Sequence, residues 1–326
     1  MDSTDQKLLF ELNWDCRQTD TQLGKKLHVS KQVVRYRIAR LEKEGFIQGY
    51  NALIDWRSLG YNSLRVYLDW RTLPPAQEQK IIDDARENPL FMWTVQFKGD
   101  HDFGFYIWTK DIPSFSMKWF TFLSTYRRYI RSYSVYESVQ MTHYPMKALF
   151  WPKIIEEKTL GLGSPEKYDE TDYTILTHIS SQARTSMVEV AKKVKLTPKA
   201  VIERVRRLEK KGIIKGYNAI LDTEKLGYTF YKIDFSLNDL SRLTEMTEFA
   251  KQHKNITYLM RTIGGPDYEI EAMMQTPAQL AALINEIKSR FAEAIESYTF
   301  RQFEKTIKQV YLPGVEVNSG KENKKK

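Results

Sequence analysis

The sequence predicts an α+β chain made of two tandem copies of one unit. Each copy is a (winged) helix-turn-helix domain followed by a βαββαβ sheet domain. Three observations predict it. The segment LEKEGFIQGYNALID at Leu41–Asp55 returns as LEKKGIIKGYNAILD at Leu208–Asp222, and from Thr4 to Tyr61 a constant offset of 167 gives 22 identities in 58 positions without a gap. Within each copy, apolar residues first recur at helical spacing and then switch to strand patterning. The 326 residues also divide into two units of about 150, each long enough to bury a core of its own.

The elements follow in order. In the first copy Thr4 or Asp5 can cap a helix reaching about Trp14, with Leu8, Leu9 and Leu12 on one face. Thr19, Asp20 and Thr21 offer caps for a short helix ending near Leu27, and His28-Val29 makes a tight turn. Ser30 then caps a third helix whose Val34, Ile38 and Leu41 lie at i, i+4 and i+7, with Gly45 placed for a left-handed C′ residue. The second copy repeats this with Ile175, Leu176 and Ile179, then Met187–Val194. Its third helix is capped by Thr197, begins at Pro198, carries Val201, Val205 and Leu208, and closes at Gly212.

Extended segments lead away from each helical unit. The first sheet domain reads as a strand at Leu64–Trp70, a helix after Pro74-Pro75 to about Asn88, and strands at Leu90–Lys98 and Phe103–Thr109. A helix at Ile112–Tyr126 and a strand at Ile130–Thr142 complete it. The second reads as Phe230–Leu237, a helix to His253, strands at Ile256–Thr262 and Tyr268–Gln275, a helix at Pro277–Phe291, and a last strand to Tyr311. That order describes a ferredoxin-like open sheet with two helices on one face. In the aromatic-rich run Ser114–Tyr136, Phe115, Phe120 and Phe122 or Leu123 are expected to pack a helix on this sheet rather than stack on single-stranded nucleic acid. The resulting domains are 1–52 and 53–152, a linker at 153–168, 169–219 and 220–312, then a basic tail at 313–326 that ends KENKKK. The Gly- and charge-rich segment Lys158–Glu170 marks the connection, and Lys153–Lys158 before it is open to a short helix.

Composition narrows the function classes. The chain is 42% hydrophobic and 28% charged, as in a soluble globular protein, and contains no run of 18 apolar residues to cross a membrane. MDSTDQKLL lacks the features of a signal peptide, so a cytoplasmic location is expected. A single cysteine, Cys16, rules out an intrachain disulfide and a thiolate zinc site, and no cofactor is expected. Of the net charge of +9, residues 1–52 hold 9 Lys/Arg against 7 Asp/Glu, whereas residues 169–220 hold 11 against 6.

Three short helices with a tight turn before the third fit a helix-turn-helix, whose third helix presents a polar face to the DNA major groove. Removing the apolar stripe leaves Lys31, Gln32, Arg35, Tyr36 and Arg40 in the first copy. The corresponding residues of the second are Pro198, Lys199, Ile202, Glu203 and Arg207. Arg and Gln suit paired contacts with guanine and adenine edges, and a glutamate can accept from a cytosine amino group. Arg37 and Arg204 flank the stripe, facing either a phosphate or a structural pair with a nearby glutamate. Arg35-Tyr36 opposite Ile202-Glu203 makes the two reading faces dissimilar, and double-stranded DNA the expected partner.

The run S/T-x-x-x-V-x-x-R-[IV]-x-x-L-E-x-x-G-x-I-x-G-Y-x-A occurs at Ser30–Ala52 and again at Thr197–Ala219. It resembles the Lrp/AsnC (feast/famine) transcription regulators over nearly the whole chain. The resemblance implies a helix-turn-helix joined by a strand to a ferredoxin-like RAM domain, which agrees with the order read above. It also implies RAM domains that pair face to face, association into a homodimer or higher oligomer, and an amino-acid or similar small effector near glycine-aspartate turns. Those turns stand at Gly99-Asp100-His101-Asp102 and Gly264-Gly265-Pro266-Asp267, which carries the ligand expectation onto Gly99, Asp102, Gly264 and Asp267. Family members usually carry one copy, whereas this chain is fused. The implied function is a non-enzymatic DNA-binding regulator. Sirohaem decarboxylases share the architecture and form the enzymatic alternative, but His101, His143 and His253 are scattered and no matching His-Asn-Tyr-x-Arg-like strand occurs. A scaffold that uses the helical units only for assembly is a third reading.

Overall fold

The computed structural model describes residues 1–310 together with Leu312 and Pro313. In the first copy α1 (Ser3–Trp14), α2 (Asp20–Leu27) and α3 (Lys31–Lys43) precede β1 (Ile47–Ile54), followed by β2 (Asn62–Trp70), α4 (Pro75–Glu87), β3 (Trp93–Gly99), β4 (Phe103–Thr109), α5 (Ile112–Tyr126), β5 (Ile130–His143) and the short β6 (Lys158–Leu160). The second copy has α6 (Glu170–Ser180), α7 (Met187–Val194), α8 (Pro198–Lys210), β7 (Ile214–Leu221), β8 (Thr229–Leu237), α9 (Leu243–Gln252), β9 (Ile256–Ile263), β10 (Tyr268–Met274), α10 (Pro277–Phe291) and β11 (Ile295–Gln309). Tyr311, the expected end of the last strand, and residues 314–326 of the expected tail lie outside the described residues.

Local chemistry sets the helix ends. Thr19 and Ser30 accept from backbone N–H groups at the starts of α2 and α3, and His28 between them adopts a left-handed φ of 56°. The first helix starts earlier than expected: Asp2 is its cap, and Asp5 is the reciprocal partner in a capping box. Asp169 and Asp172 repeat that arrangement on α6.

The two helical units are built into one another. Strands β1 and β7 pair antiparallel, and Asn51 sits opposite Asn218, its own equivalent at the repeat offset (218 − 51 = 167). The two copies are therefore related by a pseudo-two-fold axis through this ribbon. Each unit also bonds to the other copy's strand: Cys16 N–H donates to the Tyr217 carbonyl and Ala183 N–H to that of Tyr50, both at 3.0 Å. Leu8, Leu12, Val34 and Leu41 share one hydrophobic core with Ile175, Val190, Val201 and Leu208. The units cannot swing independently without opening that core.

The sheet domains also join. Each forms a four-stranded sheet, β3-β4-β2-β5 and β9-β10-β8-β11, and the long strands β5 and β11 change partner half way along. β5 leaves β2 near Ser138 to pair with β9, and β11 leaves β8 near Gln302 to pair with β3. The expected open sheets are thus closed edge to edge into an eight-stranded barrel, which removes four unpaired edges. Alternation along each strand sorts the faces. Leu64, Val66 and Leu68 pack outward with α4 and α5, while Ile233, Phe235 and Ile270 pack outward with α9 and α10. The residues between them point into the barrel.

Two expectations about α5 and the linker change. On α5 the buried stripe is Phe115, Trp119, Phe122 and Tyr126, at i, i+4, i+7 and i+11; Phe120 falls off it and is 62% exposed. Residues 153–158 form no helix, because Lys158–Leu160 instead adds β6 to the edge of β5, Met141 opposite Leu160. The chain then lies against the first copy, with Gly161 N–H donating to Asp55 Oδ2 at 3.0 Å. A side chain at Gly161, whose φ is +92°, would strike the Val139 carbonyl and the Trp56 ring at 2.4 Å. No helix among the described residues is long and apolar enough to cross a membrane.

Candidate functional site

Helix α3 buries Val34, Ile38 and Leu41 and leaves Lys31, Gln32, Arg35 and Tyr36 exposed, Tyr36 by 67% of its surface. An apolar-aromatic ring held in water beside two cations and an amide has no packing role in the chain and is available for contact. Arg35 Nε meets Asp20 Oδ2 at 3.2 Å, but the arginine is so exposed that the pair holds it weakly. On α8 Pro198, Lys199, Ile202, Glu203 and Arg207 are exposed, and so is Arg206. Arg206 was missed because its first-copy equivalent is Ala39, so a comparison of the copies carries no signal there.

Arg37, Arg40, Arg204 and Arg207 are differently placed. Arg37 Nη1 donates to Asp5 Oδ1 at 2.6 Å and to Asp2 at 2.8 Å, and Arg40 Nη2 to Asp5 Oδ2 at 2.5 Å. In the second copy Arg204 bonds Asp169 and Asp172 at 2.7 and 2.8 Å, and Arg207 bonds both oxygens of Asp172. These arginines clamp the start of α1 to α3 and of α6 to α8. Arg207 and Arg40 keep 48% and 34% of their side chains exposed while making these bonds, and for Arg37 and Arg204 the partners are aspartates rather than a glutamate. The Arg204 bond, then a backbone N–H, holds the Asp169 carboxyl below its ordinary value. For Asp2 the backbone N–H of Asp5 comes first and Arg37 second.

The two Gly/Asp turns lie at different seams of the barrel, so Gly99 and Asp102 do not meet Gly264 and Asp267. Gly99 sits opposite Arg301 with a φ of +139°, where a Cβ would come within 2.8 Å of the Phe300 carbonyl. Gly264, with a φ of +79°, lies on the β5 side. Asp102 Oδ2 accepts from Trp70 N–H at 2.6 Å and Asp267 Oδ2 from Leu237 N–H at 2.8 Å, so both carboxylates fasten their turn to the end of the neighbouring strand. The histidines are separated as well. His101 bonds Asp69 at 3.1 Å, His253 lies 3.7 Å from Glu286, and His143 stacks on Tyr258. Burial, aided by Lys158 and Lys147, pushes His143 down to about 3, so it is neutral. Burial also raises the Cys16 thiol to about 12, which leaves it inert as a nucleophile.

The barrel interior holds charges that periodicity in the sequence does not reveal. Arg65 donates to both oxygens of Glu269 at 2.7 and 2.6 Å, and Lys232 bonds the same carboxylate and lies 3.4 Å from Asp234. Arg301 bonds Asp234 and pairs with Asp100 at 3.2 Å. Burial alone would raise the Glu269 carboxyl, but the charges of Arg65 and Lys232 more than offset it and hold it low. The registers make Arg65 the counterpart of Lys232, and Tyr106 that of Glu271. Between the barrel end and the β1–β7 ribbon lies a cavity of about 350 Å³, with Asn51 and Asn218 on one wall and Trp93, Tyr106 and Glu271 on the other. Burial pushes the Glu271 carboxyl up to about 7 against the opposing pull of Lys232 and Arg65.

Comparison with known proteins adds to this geometry. A family described as winged helix-turn-helix DNA-binding matches residues 1–48 and 168–215, one helical unit in each copy. The HTH-type transcriptional regulator LrpA of Pyrococcus horikoshii is 37% identical over 106 residues, 32% of this chain and 74% of that protein. LrpC of Bacillus subtilis is 28% identical over 138 residues, 42% of this chain and 95% of LrpC. Over nearly the full length, the chain matches the crystal structure of the sirohaem decarboxylase NirDL with a TM-score of 0.63 and 12% identity, covering 96% of this chain and 94% of that one. At that identity the likeness is one of fold.

Proposed function

This chain belongs to the Lrp/AsnC family of helix-turn-helix transcription regulators, and from that premise we propose that it is a sequence-specific DNA-binding regulator that reads two dissimilar half-sites. One observation carries the proposal: two helix-turn-helix units share a single core across the β1–β7 ribbon while α3 and α8 expose different side chains. The shared core fixes the distance between the reading heads. A symmetric dimer reads a palindrome because its heads are identical. Here Lys31, Gln32, Arg35 and Tyr36 would read one half-site and Lys199, Glu203 and Arg206 the other, about one helical turn or a multiple apart. Arg37, Arg40, Arg204 and Arg207 support the reading helices through their aspartates and offer only their exposed edges to phosphates. Selection from random DNA at physiological salt should return an asymmetric site; a palindrome, or no enrichment, rejects the proposal. Loss of Arg35 and Lys199 together should weaken binding, and unchanged partner binding would favour the assembly scaffold.

The Gly99–Asp102 and Gly264–Asp267 turns are the family-like places for an amino-acid effector, although their aspartates bond the backbone. A second copy of the chain would associate through the sheet domains, where Ile112, Met117 and Phe120 of α5 are exposed; light scattering across protein concentration tests this. The fold likeness to NirDL supports a second reading, an enzyme of the sirohaem decarboxylase kind. A Soret shift and decarboxylated product on mixing with sirohaem would favour that reading, and an unchanged spectrum would remove it.

A further inference from the structure

We propose that the cavity between the barrel and the β1–β7 ribbon binds a compact organic monocation, an aromatic amine without a carboxylate, with Glu271 as its counter-ion. The argument begins with charge. Arg65, Lys232 and Arg301 face Asp100, Asp234 and Glu269, three cations against three anions, each cation in an ion pair. Glu271 is the carboxylate left over. It lines the cavity, and among the described residues no hydrogen bond or ion pair reaches its carboxylate. A buried carboxylate without a partner is costly, and a ligand cation would supply the missing charge.

The remaining wall chemistry points the same way. Asn13 Oδ1 and Asn218 Oδ1, both acceptors on lining residues, have no hydrogen-bond partner, and the unpartnered donors on lining residues are Trp56 Nε1 and Trp93 Nε1. Asn13 and Asn218 are each only 4% exposed. Asn13 Nδ2 donates to the Ala219 carbonyl, which fixes which end of that amide is free. The two amide oxygens and two indole N–H groups balance, so the unpartnered Glu271 carboxylate tips the wall toward a ligand that donates. Trp93, Tyr106 and Tyr258 supply aromatic faces, which attract a cation and pack against a ring. A volume of about 350 Å³ is roughly twice that of a cavity known to hold benzene, so it fits one or two rings. A second carboxylate on the ligand would meet Glu271 with no spare cation, which sets this site apart from an α-amino-acid site.

The groups facing Glu271 are Lys232 on β8, Arg65 on β2, Glu269 on its own strand, Tyr106 on β4 and Tyr258 on β9. Since Glu271 ionises near neutral pH, an amine should bind about tenfold more weakly at pH 6 than at pH 8, where the carboxylate is formed. The cavity wall includes the crossing of β1 and β7, so occupancy would stiffen the ribbon on which both reading heads are mounted. That regulatory consequence rests on the DNA-binding reading; the binding itself does not.

The test is calorimetric titration of the full chain, without DNA, with phenethylamine and with tryptamine. Phenethyl alcohol and 3-phenylpropanoate serve as neutral and anionic counterparts. The proposal expects saturable amine binding that is stronger at pH 8 than at pH 6, at least tenfold loss in Glu271→Gln, and loss in Ser138→Phe, which fills the cavity from another wall. Thermal melts establish that both variants are folded. Equal binding of the alcohol, full retention of amine affinity in folded Glu271→Gln, or no saturable heat with either amine overturns it. A subsequent DNA titration with and without phenethylamine separates the two ideas: unaltered DNA affinity with intact amine binding removes only the regulatory consequence, and absent amine binding leaves the DNA reading standing.

Discussion

Replacing Asp172 by alanine tests whether the arginines behind the reading helix are structural. Asp172 is 1% exposed and takes bonds from Arg204 at 2.8 Å and from Arg207 at 2.9 and 2.7 Å, besides closing the capping box with Asp169. Losing one partner of a fully buried pair costs about 3–5 kcal/mol. Here the side chains of Arg204 and Arg207 are 25% and 48% exposed, so water can partly replace the carboxylate and the lower end applies. The cap adds about 1 kcal/mol. Together these give about 4 kcal/mol, measured as the fall in unfolding free energy from urea titrations followed by circular dichroism and by tryptophan fluorescence. Arg207→Gln on top of Asp172→Ala should cost far less than it does alone, because the carboxylate it served is already gone. Since the two helical units share a core, both probes should shift together. A loss below 1 kcal/mol, an additive double variant, or separate transitions for the two units would refute the reasoning.

Three more outcomes follow from the same geometry. Arg35→Ala, if Arg35 contacts a base, should cost about 1–3 kcal/mol of DNA affinity and relax one base position; a uniform loss with the salt slope lowered by about one marks a phosphate contact instead. His143 is held neutral by burial with its pKa lowered to about 3. The unfolded chain therefore takes up the proton first as pH falls through about 6.5, and stability is lost at about 1.4 kcal/mol per pH unit below that point. The difference in stability between wild type and His143→Phe, measured from pH 7 to pH 4, isolates this slope from that of His253 and from the opposite slope of Glu271; a pH-independent difference would count against it. Gly161→Ala should destabilise by about 2–4 kcal/mol, because its Cβ meets the Val139 carbonyl and the Trp56 ring in a left-handed backbone; a melt like that of wild type would show that the segment shifts freely.

Most local structure was legible from short-range signals. Helices α5 and α10 begin and end at the expected residues because Asp111 and Thr276 cap them and a proline follows each cap. The barrel was not legible, because closing it depends on β5 and β11 changing partners half way, a long-range choice that alternation along one strand does not encode. The charged interior follows from that closure: Glu271 reads in sequence as one more polar residue of an alternating strand. The aspartate clamp could have been found, since Asp5, Arg37 and Arg40 are each identical to their equivalents Asp172, Arg204 and Arg207 while the exposed helix positions around them differ. Identity maintained across both copies on a diverging helix marks a shared structural task. The glycine-rich segment was legible only as a connection between the copies; that Gly161 and Gly163 permit close packing on Trp56 and Ser58 depends on residues about a hundred positions away.

The interior of the barrel also gives a physical reason for one fused chain in place of two identical ones. Where the first copy has Tyr136, Arg65 and Tyr106 side by side across its sheet, the second has Arg301, Lys232 and Glu271 at the same registers. Tyr67 opposite Gly104 likewise answers to Asp234 opposite Glu269. The two halves are complementary, since Glu269 receives Arg65 from the other copy as well as Lys232 from its own. A barrel made of two second copies would bury two each of Glu269, Glu271 and Asp234 without Arg65, and a barrel made of two first copies would bury two Arg65 with no carboxylate at the Glu269 position. Each mismatched pairing leaves unpaired charge in a water-poor interior, at a cost of several kcal/mol per ion. Fusion makes the correct partner local, and the interior charges penalise the wrong one. The exposed faces of α3 and α8 differ as well, and on the DNA-binding reading proposed above a fused pair has no need for the two faces to match.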